Sequence, residues 1–495
     1  MTAVDAVVVG SGPNGLAAAV TLARAGLVVQ VLEAQDVPGG GARTLDLGLA
    51  DGVVHDLCSA VHPMAVASPF LRAFDLPARG VHLLQPEVAY ANPLDGGRAG
   101  LAYRSLERTA DGLGVDGPAW RSLLAPLVDD PDGVLAVALG DHRHVPRQLG
   151  TALAFAARLL EQGSGVWGAR FRDEEAAALL TGVGAHAITR LPSPSAAGTA
   201  LLLAPLAHAG GWPVPRGGSG AIVGALLADL RAHGGEVITG TRVDRAADLP
   251  PARAYLFDTS PRTAVRVLGR LPTGVARGLV AFPRSRGAAA KVDLVLSGPV
   301  PWAHPEVSRA GTVHLGGSRL QAAAAEAAVA SGRHAQRPMV LVSDPGVVDT
   351  SRVTAAGLRP FWAYAHVPAG STVDVTEAVI AQVERFAPGF RDLVVASRCI
   401  PAARLADHDA NLVGGDISGG AVSVYRMLAR PRLAWDPYVL VPPGGASPGA
   451  AGMWLCSSST PPGPGVHGLS GWYAARQALR DGFGLREVVS LAPGA

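Results

Sequence analysis

The N-terminal residues have the hydrophobic pattern of a strand, a turn, a helix and a second strand. Val7, Val8 and Val9 form a continuous apolar run, which is typical of a parallel strand that is buried on both faces. A glycine-rich turn and a helix of small residues follow, and a second apolar run ends at Glu33. The pattern therefore predicts a β-α-β unit at the start of the chain.

Two later stretches repeat this kind of pattern. Gly210–Val237 contains a glycine-rich turn and then apolar residues at helical spacing, and a strand is predicted over Val237–Val243. Met453–Gly484 predicts a strand, a turn rich in proline and glycine, and a helix that begins near Val466. We interpret the three separated stretches as parts of one nucleotide-binding domain.

The glycines of the first turn have the spacing of a dinucleotide site. Gly10 permits the tight turn, Gly12 lets the backbone approach a pyrophosphate, and Gly15 lets the helix pack against the strand. The free N–H groups at the helix N-terminus then face the phosphates. Glu33 lies where a carboxylate accepts hydrogen bonds from a ribose 2′-OH, and it would repel a 2′-phosphate. We therefore expect FAD or NAD rather than NADP.

Composition is that of a folded, soluble enzyme. The length of 495 residues suggests two or three domains, and 48% apolar against 17% charged residues excludes global disorder. A net charge of +2 without a basic run gives no sign of a nucleic-acid partner. Three cysteines form no disulfide framework and no zinc motif, so we expect no metal and a reducing, cytoplasmic location. The mean hydropathy of +0.26 also allows peripheral contact with a membrane.

Several blocks, in order, resemble one family. They are the N-terminal fingerprint (residues 4–46), whose second glycine cluster is Gly39, Gly40 and Gly41, and then VVHDLCSAVHP, GGWPVPRGGSGAIVGAL, DTSP, APGFRD, VGGDISGGA and LCSSSTPPGPGVHGLSG. The chain resembles the phytoene dehydrogenase-like FAD-dependent oxidoreductases of the carotenoid desaturase and isomerase type. Within them it is similar to the branch of the pyridine nucleotide-disulphide oxidoreductase domain-containing type 2 protein. The blocks span nearly the whole chain, although residues 76–190 contribute little. The resemblance moves the expected cofactor from NAD to FAD.

The resemblance implies an α/β fold. It consists of a Rossmann-like FAD-binding domain of the glutathione reductase and amine oxidase type with an interleaved α+β substrate domain. We assign the FAD-binding domain to residues 1–75, 210–284 and 431–495, and the substrate domain to residues 76–209 and 285–430.

Residues that match the family's cofactor motifs are expected to contact FAD. In the N-terminal half they are Gly10, Gly12, Asn14, Gly15, Glu33, Gly40, Gly41 and Arg43. Val243 corresponds to the position that pairs with the adenine edge, and Gly465, Val466 and His467 to the turn before the last helix, which in the family points at the flavin. Gly41 departs from the family, where arginine is usual. Arg43, two positions later, either supplies the positive charge that this arginine has in the family or is a solvated surface residue.

Two residues are candidates for catalysis. Lys291 is the only lysine in the sequence and lies on a predicted strand. In many flavin amine oxidases a strand lysine holds a water against flavin N5; the alternative is a surface or edge-strand lysine. His62 follows Asp56 and Cys58, where the family's chain passes near the flavin, and its ordinary pKa suits proton transfer. The alternative for His62 is a hydrogen-bonded scaffold role. His186, His208, His314 and His366 have no metal-ligand spacing and are interpreted as structural.

These features lead to one main hypothesis and three alternatives. The main one is an FAD-dependent dehydrogenase, desaturase or oxidase that moves a hydride from a hydrophobic organic substrate to flavin N5, with oxygen or a quinone as the final acceptor. The alternatives are a flavin amine oxidase, a redox-neutral isomerase, and an FAD-binding scaffold with little activity.

Overall fold

The computed structural model describes residues 4–140, 147–444 and 450–494, and two large sheets organise this part of the chain. The strands are β1 (Ala6–Val9), β2 (Val29–Leu32), β3 (Thr44–Asp46), β4 (Val54–Asp56), β5 (Leu83–Leu84), β6 (Val88–Leu94), β7 (Arg98–Tyr103), β8 (Val214–Pro215), β9 (Glu236–Ile238), β10 (Ala254–Phe257), β11 (Gly287–Leu296), β12 (Ala310–Leu315), β13 (Val340–Ser343), β14 (Arg359–Pro368), β15 (Val394–Ile400), β16 (Val439–Val441) and β17 (Gly452–Leu455).

Helices surround both sheets. They are α1 (Pro13–Arg24), α2 (Pro63–Ala67), α3 (Pro69–Phe74), α4 (Leu106–Gly112), α5 (Gly117–Val128), α6 (Pro131–Ala138), α7 (Leu149–Gln162), α8 (Glu174–Gly184), α9 (Pro194–Ala209), α10 (Gly220–Ala232), α11 (Pro261–Leu268), α12 (Thr273–Ala281), α13 (Arg319–Ala330), α14 (Thr376–Glu384), α15 (Val424–Leu428) and α16 (Leu469–Phe483).

The first sheet has six strands in the order β16-β17-β10-β1-β2-β9. Neighbouring strands from β17 to β9 are parallel, and only β16 pairs antiparallel with its neighbour. Strand β1 lies inside this sheet with all four residues buried, as its continuous apolar run predicts. The sheet is therefore the doubly wound, Rossmann-like type that the N-terminal pattern indicates.

Helices α1 and α16 lie very close together beside this sheet. A Cβ added to Gly471 in α16 would be 1.7 Å from the backbone oxygen of Asn14 in α1, so no larger residue fits there without movement. The close contact joins the first and the last part of the nucleotide-binding pattern, which lie more than four hundred residues apart.

The second sheet has seven strands in the order β15-β11-β14-β13-β12-β6-β7. Its pairs are antiparallel except β12 with β6, which is parallel. One face packs on an apolar core that includes Val292, Phe361 and Ala363. The other face carries polar and aromatic side chains, among them Lys291 and Trp362.

The strands of the two sheets come from different predicted segments. Every strand of the six-stranded sheet lies in residues 1–75, 210–284 or 431–495, and every strand of the seven-stranded sheet lies in residues 76–209 or 285–430. The domain boundaries themselves stay predictions.

Two predicted elements are shorter than expected. Strand β9 ends at Ile238, because Gly240 adopts φ +61°. The chain then stays beside the residues that follow β2, where Thr241 N–H donates to the backbone oxygen of Glu33. Helix α16 begins at Leu469 rather than near Val466, because Gly468 at its start has φ +69°. Among the residues described, we find no helix long and apolar enough to cross a membrane.

Candidate functional site

An open cleft of about 690 Å³ lies at the carboxyl ends of β1, β2 and β10. Ligands of open α/β sheets bind at this edge, where the loops after the strands meet. The cleft is lined by residues from four parts of the chain, including Gly10, Gly12, Glu33, Gly40, Thr241, Val243, Asp258, His408, Asp409 and Asn411.

The glycines of the cleft keep its floor free of side chains. Gly10 has φ +98°, and a Cβ there would lie 2.7 Å from the backbone oxygen of Asp258. A Cβ on Gly12 would lie 2.6 Å from Asp258 Oδ2, and a Cβ on Gly40 would lie 3.0 Å from Gly12 Cα. The two glycine clusters therefore contact each other and form a cradle of bare backbone.

The N-terminus of α1 faces this cradle. Gly15 N–H donates to Asp258 Oδ2 at 2.9 Å, so a carboxyl group takes one of the free donors of the helix. Asn14 is buried, and within the described residues its Oδ1 atom has no hydrogen-bond partner. The Asn14 oxygen without a partner suits a polar ligand at this helix end.

Glu33 follows β2 and is held in place by the turn. Its carboxylate accepts hydrogen bonds from the N–H and hydroxyl groups of Ser11 and, through Oε1, from Gln35 N–H at 2.8 Å. The carboxylate lines the cleft together with Val243 and Thr241. This arrangement fits a ribose between Glu33 and the loop after β9.

Two further carboxyl groups lie in the cleft. Burial, with smaller effects of Asp409 and Glu33, raises the pKa of Asp258 to about 8. Burial also raises the pKa of Asp409. The Asp258 carboxyl therefore tends to stay protonated near pH 7, and a protonated carboxyl can donate to a phosphate oxygen.

Arg43 is buried and makes local hydrogen bonds. Its Nε donates to the backbone oxygen of Gly40 at 2.8 Å, and its Nη2 donates to the backbone oxygen of His408. The alternative of a solvated surface arginine was wrong, because the side chain is enclosed by the second glycine cluster and the His408 loop. A Cβ on Gly41 would face Cys58 and Asp409.

The predicted C-terminal turn lies at the start of α16. Gly465 has φ +141° and packs on Met64, and Val466 is half-buried. His467 is fully buried; its Nδ1 accepts from Leu469 N–H at 3.0 Å, and its backbone oxygen accepts from the hydroxyl of Ser68. Burial lowers the pKa of His467 to about 4, so the ring is neutral near pH 7.

Lys291 lies on β11, an inner strand, and is 3% exposed. Its Nζ pairs with Asp293 Oδ1 and lies 5.2 Å from the ring centre of Trp362. Burial tends to raise the pKa of Asp293, but Lys291 and then His55 outweigh this effect and hold it below its usual value. The alternative of a surface or edge-strand lysine was wrong, since the pair is enclosed on the polar face of the seven-stranded sheet.

The region around Lys291 reaches the second glycine cluster. Trp362 Nε1 donates to the backbone oxygen of Cys58 at 3.1 Å, and Cys58 packs against the position of Gly41. Burial raises the pKa of Cys58 to about 12, so its thiol stays protonated. Lys291 and the second glycine cluster are thus connected through Trp362 and Cys58.

His62 is buried at the start of α2. Its Nε2 lies 2.7 Å from Ser219 Oγ, whose hydroxyl donates to the backbone oxygen of Ser59. Ser219 therefore accepts from His62, which carries its proton on Nε2. Burial lowers the pKa of His62 to about 4. This geometry fits a role in joining the VVHDLCSAVHP segment to α10 better than proton transfer near pH 7.

Sequence reasoning missed several residues of the site. Asp258 belongs to the DTSP block but no role was assigned to it, and Asp409 gave no local signal. Asp293 could have been found, because residues two apart on a strand share a face with each other and Lys291 is two positions away. Within the described residues, no group of three or more histidine, cysteine or acidic side chains has the geometry to hold a metal ion.

Comparisons with known proteins agree with this geometry. A family model described as an NAD(P)-binding Rossmann-like domain matches residues 8–75. An uncharacterised protein of Mycobacterium tuberculosis is 26% identical over 96% of this chain and 97% of its own length. The pyridine nucleotide-disulfide oxidoreductase domain-containing protein 2 of Rattus norvegicus is 25% identical over 96% of this chain and 93% of its own length.

Solved structures extend the similarity to the whole chain. Cyclohexylamine oxidase from Brevibacterium oxydans has a TM-score of 0.57 and 15% identity, with 96% of this chain and 98% of that chain covered. A putrescine oxidase variant has a TM-score of 0.59 and 17% identity, with 96% and 98% covered. The fold is that of the amine oxidases. At 15% and 17% identity these structures show a shared fold and do not identify the substrate, which has to be inferred from the residues of the site.

Proposed function

We propose that the protein is an FAD-dependent oxidoreductase that removes a hydride from an organic substrate with a large apolar part. The observation that carries the proposal is the convergence of the glycine turn, Glu33, Val243 and the second glycine cluster on one cleft of an amine oxidase fold. FAD, when bound, supplies a two-electron acceptor.

Each part of the cleft has a role toward FAD in this proposal. Gly10 and Gly15 allow the tight turn and the close packing of α1, Gly12 lets the backbone approach the diphosphate, and the N-terminus of α1 offers donors to it. Glu33 accepts from the ribose, and Val243 lies beside it at the adenine end. The buried Oδ1 of Asn14, which has no partner among the described residues, can accept from a hydroxyl group of the cofactor, and the protonated Asp258 can donate to the diphosphate.

The substrate would bind on the polar face of the seven-stranded sheet. Lys291 lies there beside Trp362, and Trp362 contacts Cys58, which packs against Gly41 of the cofactor motif. The ammonium group of Lys291 orients a water or a substrate atom, and the aromatic rings exclude bulk water. More specifically, we propose phytoene dehydrogenase-like activity on a hydrophobic substrate.

A second candidate is a flavin amine oxidase. The buried position of Lys291 on an inner strand favours it, because a strand lysine serves in this way in many of these enzymes, and the fold is shared with two amine oxidases. The final electron acceptor is proposed to be oxygen or a quinone in either case.

One experiment tests the proposal. The purified protein should be yellow, release FAD on heating, and lose its flavin absorbance under anaerobic conditions with a substrate among polyenes, amines and hydroxylated lipids. A colourless protein that cannot be reconstituted with FAD would refute the proposal. A yellow protein that no substrate bleaches would support the scaffold alternative.

A further inference from the structure

A second cleft, which the proposed function does not use, lies between α16 and the chain that follows it. This C-terminal cleft encloses about 1050 Å³ up to its open side. One wall is formed by residues of α16 between positions 472 and 480, the other by residues 485–489, and Thr21 of α1 also lines the cleft. It shares no lining residue with the dinucleotide cleft. The C-terminal cleft is therefore a separate space with room for a small ligand.

Both walls of the C-terminal cleft are fixed in place. Leu485 N–H donates to the backbone oxygen of Leu479 at 3.0 Å, which ties the start of the second wall to α16. Beyond the wall, Arg24 Nη1 donates to the backbone oxygens of Ser490 and Ala492 at 3.1 and 3.0 Å. Residues 485–489 are thus held at both ends, and the cleft is a defined part of the fold.

The rim of the C-terminal cleft is cationic. Arg476, Arg480 and Arg486 line it and are exposed, and Glu487 is the acidic residue among the lining side chains. Arg480 pairs with Asp481. Within the part of the chain that the structure describes, Arg476 and Arg486 make no hydrogen bond or ion pair. Their guanidinium donors are therefore available to an anion, and a planar guanidinium matches the oxygens of a phosphate group.

The floor of the C-terminal cleft contains a buried amide. Gln477 lines the cleft and is 1% exposed, whereas the arginines of the same helix are exposed. Neither Nε2 nor Oε1 of Gln477 has a hydrogen-bond partner among the residues described. Buried polar atoms are rarely left in this state, and a bound group or water usually completes them. The amide requires one acceptor and one donor, which is the pattern that a nucleobase edge offers to glutamine.

Aromatic rings form part of the wall on α16. Trp472 and Tyr473 line the cleft and are partly exposed, and their rings are stacked with centres 5.5 Å apart. The guanidinium carbon of Arg476 lies 4.9 Å from the ring centre of Trp472, so this cation is held beside the aromatic wall. Nucleobases pack on aromatic side chains of this kind. A base and a phosphate group of one ligand would therefore find their partners next to each other.

An anionic lipid is the alternative ligand for a cleft with a cationic rim. The exposed Leu485 and Val488 would suit an alkyl chain. An alkyl chain at the floor, however, would leave both polar atoms of Gln477 unpaired, which is unfavourable for a buried amide. The buried amide therefore favours a ligand whose inner end carries both a donor and an acceptor.

We propose that the C-terminal cleft binds a nucleotide, with its base at Gln477 beside Trp472 and Tyr473 and its phosphate at Arg476 and Arg486. The site is separate from the dinucleotide cleft and adds a second nucleotide to the protein. The inference does not depend on the proposed function.

Three probes test the proposal: AMP, adenosine and inorganic phosphate. Isothermal titration calorimetry on the purified FAD-loaded protein, at constant ionic strength, measures their binding. Because FAD then fills the dinucleotide cleft, a nucleotide that binds must occupy another site. AMP should bind at one site per chain, and adenosine and phosphate should each bind at least tenfold more weakly, since each offers only half of the contacts.

Variants on the two sides of the cleft test the two halves of the ligand. Arg476→Gln combined with Arg486→Gln should lower the affinity for AMP to that for adenosine, because the partners of the phosphate are removed. Gln477→Leu should weaken AMP binding at least tenfold and leave phosphate binding unchanged. It should also unfold at a temperature no lower than the wild type, because an unpaired buried amide is removed. The arginine variant changes exposed positions, so it remains informative if Gln477→Leu does not fold.

Arg231→Gln is the matched control for the loss of charge. Arg231 is an exposed arginine on α10, it lines neither cleft, and it makes no ion pair within the described residues. Its affinity for AMP should equal that of the wild type.

The outcomes separate this inference from the proposed function. An FAD-loaded protein that does not bind AMP, that binds phosphate as tightly as AMP, or that keeps its affinity for AMP in both cleft variants would overturn the inference. A colourless protein would refute the FAD proposal. If that protein binds AMP and loses the binding in Gln477→Leu, the nucleotide site in the C-terminal cleft is supported; binding that no cleft variant changes would place AMP in the dinucleotide cleft and overturn the inference.

Discussion

Replacing Asp258 by asparagine tests the electrostatics of the dinucleotide cleft. The carboxyl group touches the position of Gly12 and accepts a hydrogen bond from Gly15 N–H. Burial, with smaller effects of Asp409 and Glu33, raises its pKa from 3.8 to about 8. Cys456 also faces it, and burial followed by the charge of Asp258 raises the pKa of that thiol.

The sign of the pH effect follows from proton linkage. The folded chain holds the proton of Asp258 more tightly than the unfolded chain, so its contribution to stability is complete below about pH 4 and is lost as the pH rises through about 8. Between pH 7 and pH 9 the protonated fraction falls about tenfold, which corresponds to about 1.4 kcal/mol of unfolding free energy. FAD affinity should fall about tenfold over the same range, since an ionised Asp258 repels the diphosphate.

Flavin fluorescence quenching on the apoprotein measures the FAD dissociation constant between pH 6.5 and pH 9, and urea unfolding of the apoprotein measures the stability. Both quantities should depend on pH in the wild type and be nearly independent of pH in Asp258→Asn, whose amide oxygen still accepts from Gly15 N–H. The same slope in both proteins would refute the reasoning.

Asp409→Asn is the matched control for this prediction. Asp409 lines the same cleft and its pKa is also raised, chiefly by burial, but it does not accept from the helix N-terminus. The variant should keep a pH dependence, with its midpoint shifted below that of the wild type, because Asp409 contributes to the raised pKa of Asp258. If it removes the dependence and Asp258→Asn does not, the titrating group is Asp409.

Three further predictions address other parts of the molecule. Lys291→Met, combined with Asp293→Asn so that no buried carboxylate is left unpaired, should slow anaerobic flavin reduction at least tenfold while FAD stays bound; unchanged reduction in stopped-flow traces would exclude a role for the lysine. His62→Gln should lower the urea unfolding free energy by about 1–3 kcal/mol and leave the pH profile of turnover unchanged, whereas loss of a limb of that profile would make His62 an acid or base. Gly471→Ala should prevent close packing of α1 and α16 and lower the thermal midpoint, while Gly224→Ala, an exposed helix position with no atom within 4 Å of the new Cβ, should raise stability by up to about 1 kcal/mol; equal effects would contradict the packing argument.

The spacing of residues along the chain was sufficient to predict the first part of the proposed dinucleotide site. Gly10, Gly12 and Gly15 act through the turn they belong to, and Glu33 is placed by the length of one helix and one strand. The prediction of an α/β fold with a Rossmann-like unit is confirmed for this reason. The strand expected over Val237–Val243 was wrong beyond Ile238, because the backbone turns at Gly240, which adopts φ +61°.

The sequence by itself thus determined the fold class, the glycine turn and the position of Glu33 directly after β2, since each depends on residues that are close along the chain. Only the tertiary structure placed Asp258 against Gly15, which is 243 positions away, and brought His186 into contact with His314, which is 128 positions away. Contacts of this kind depend on strand order and on how two sheets face each other, and no periodicity in the chain records them. Burial, which sets the pKa values of Asp258 and His62, is likewise a property of the folded chain alone.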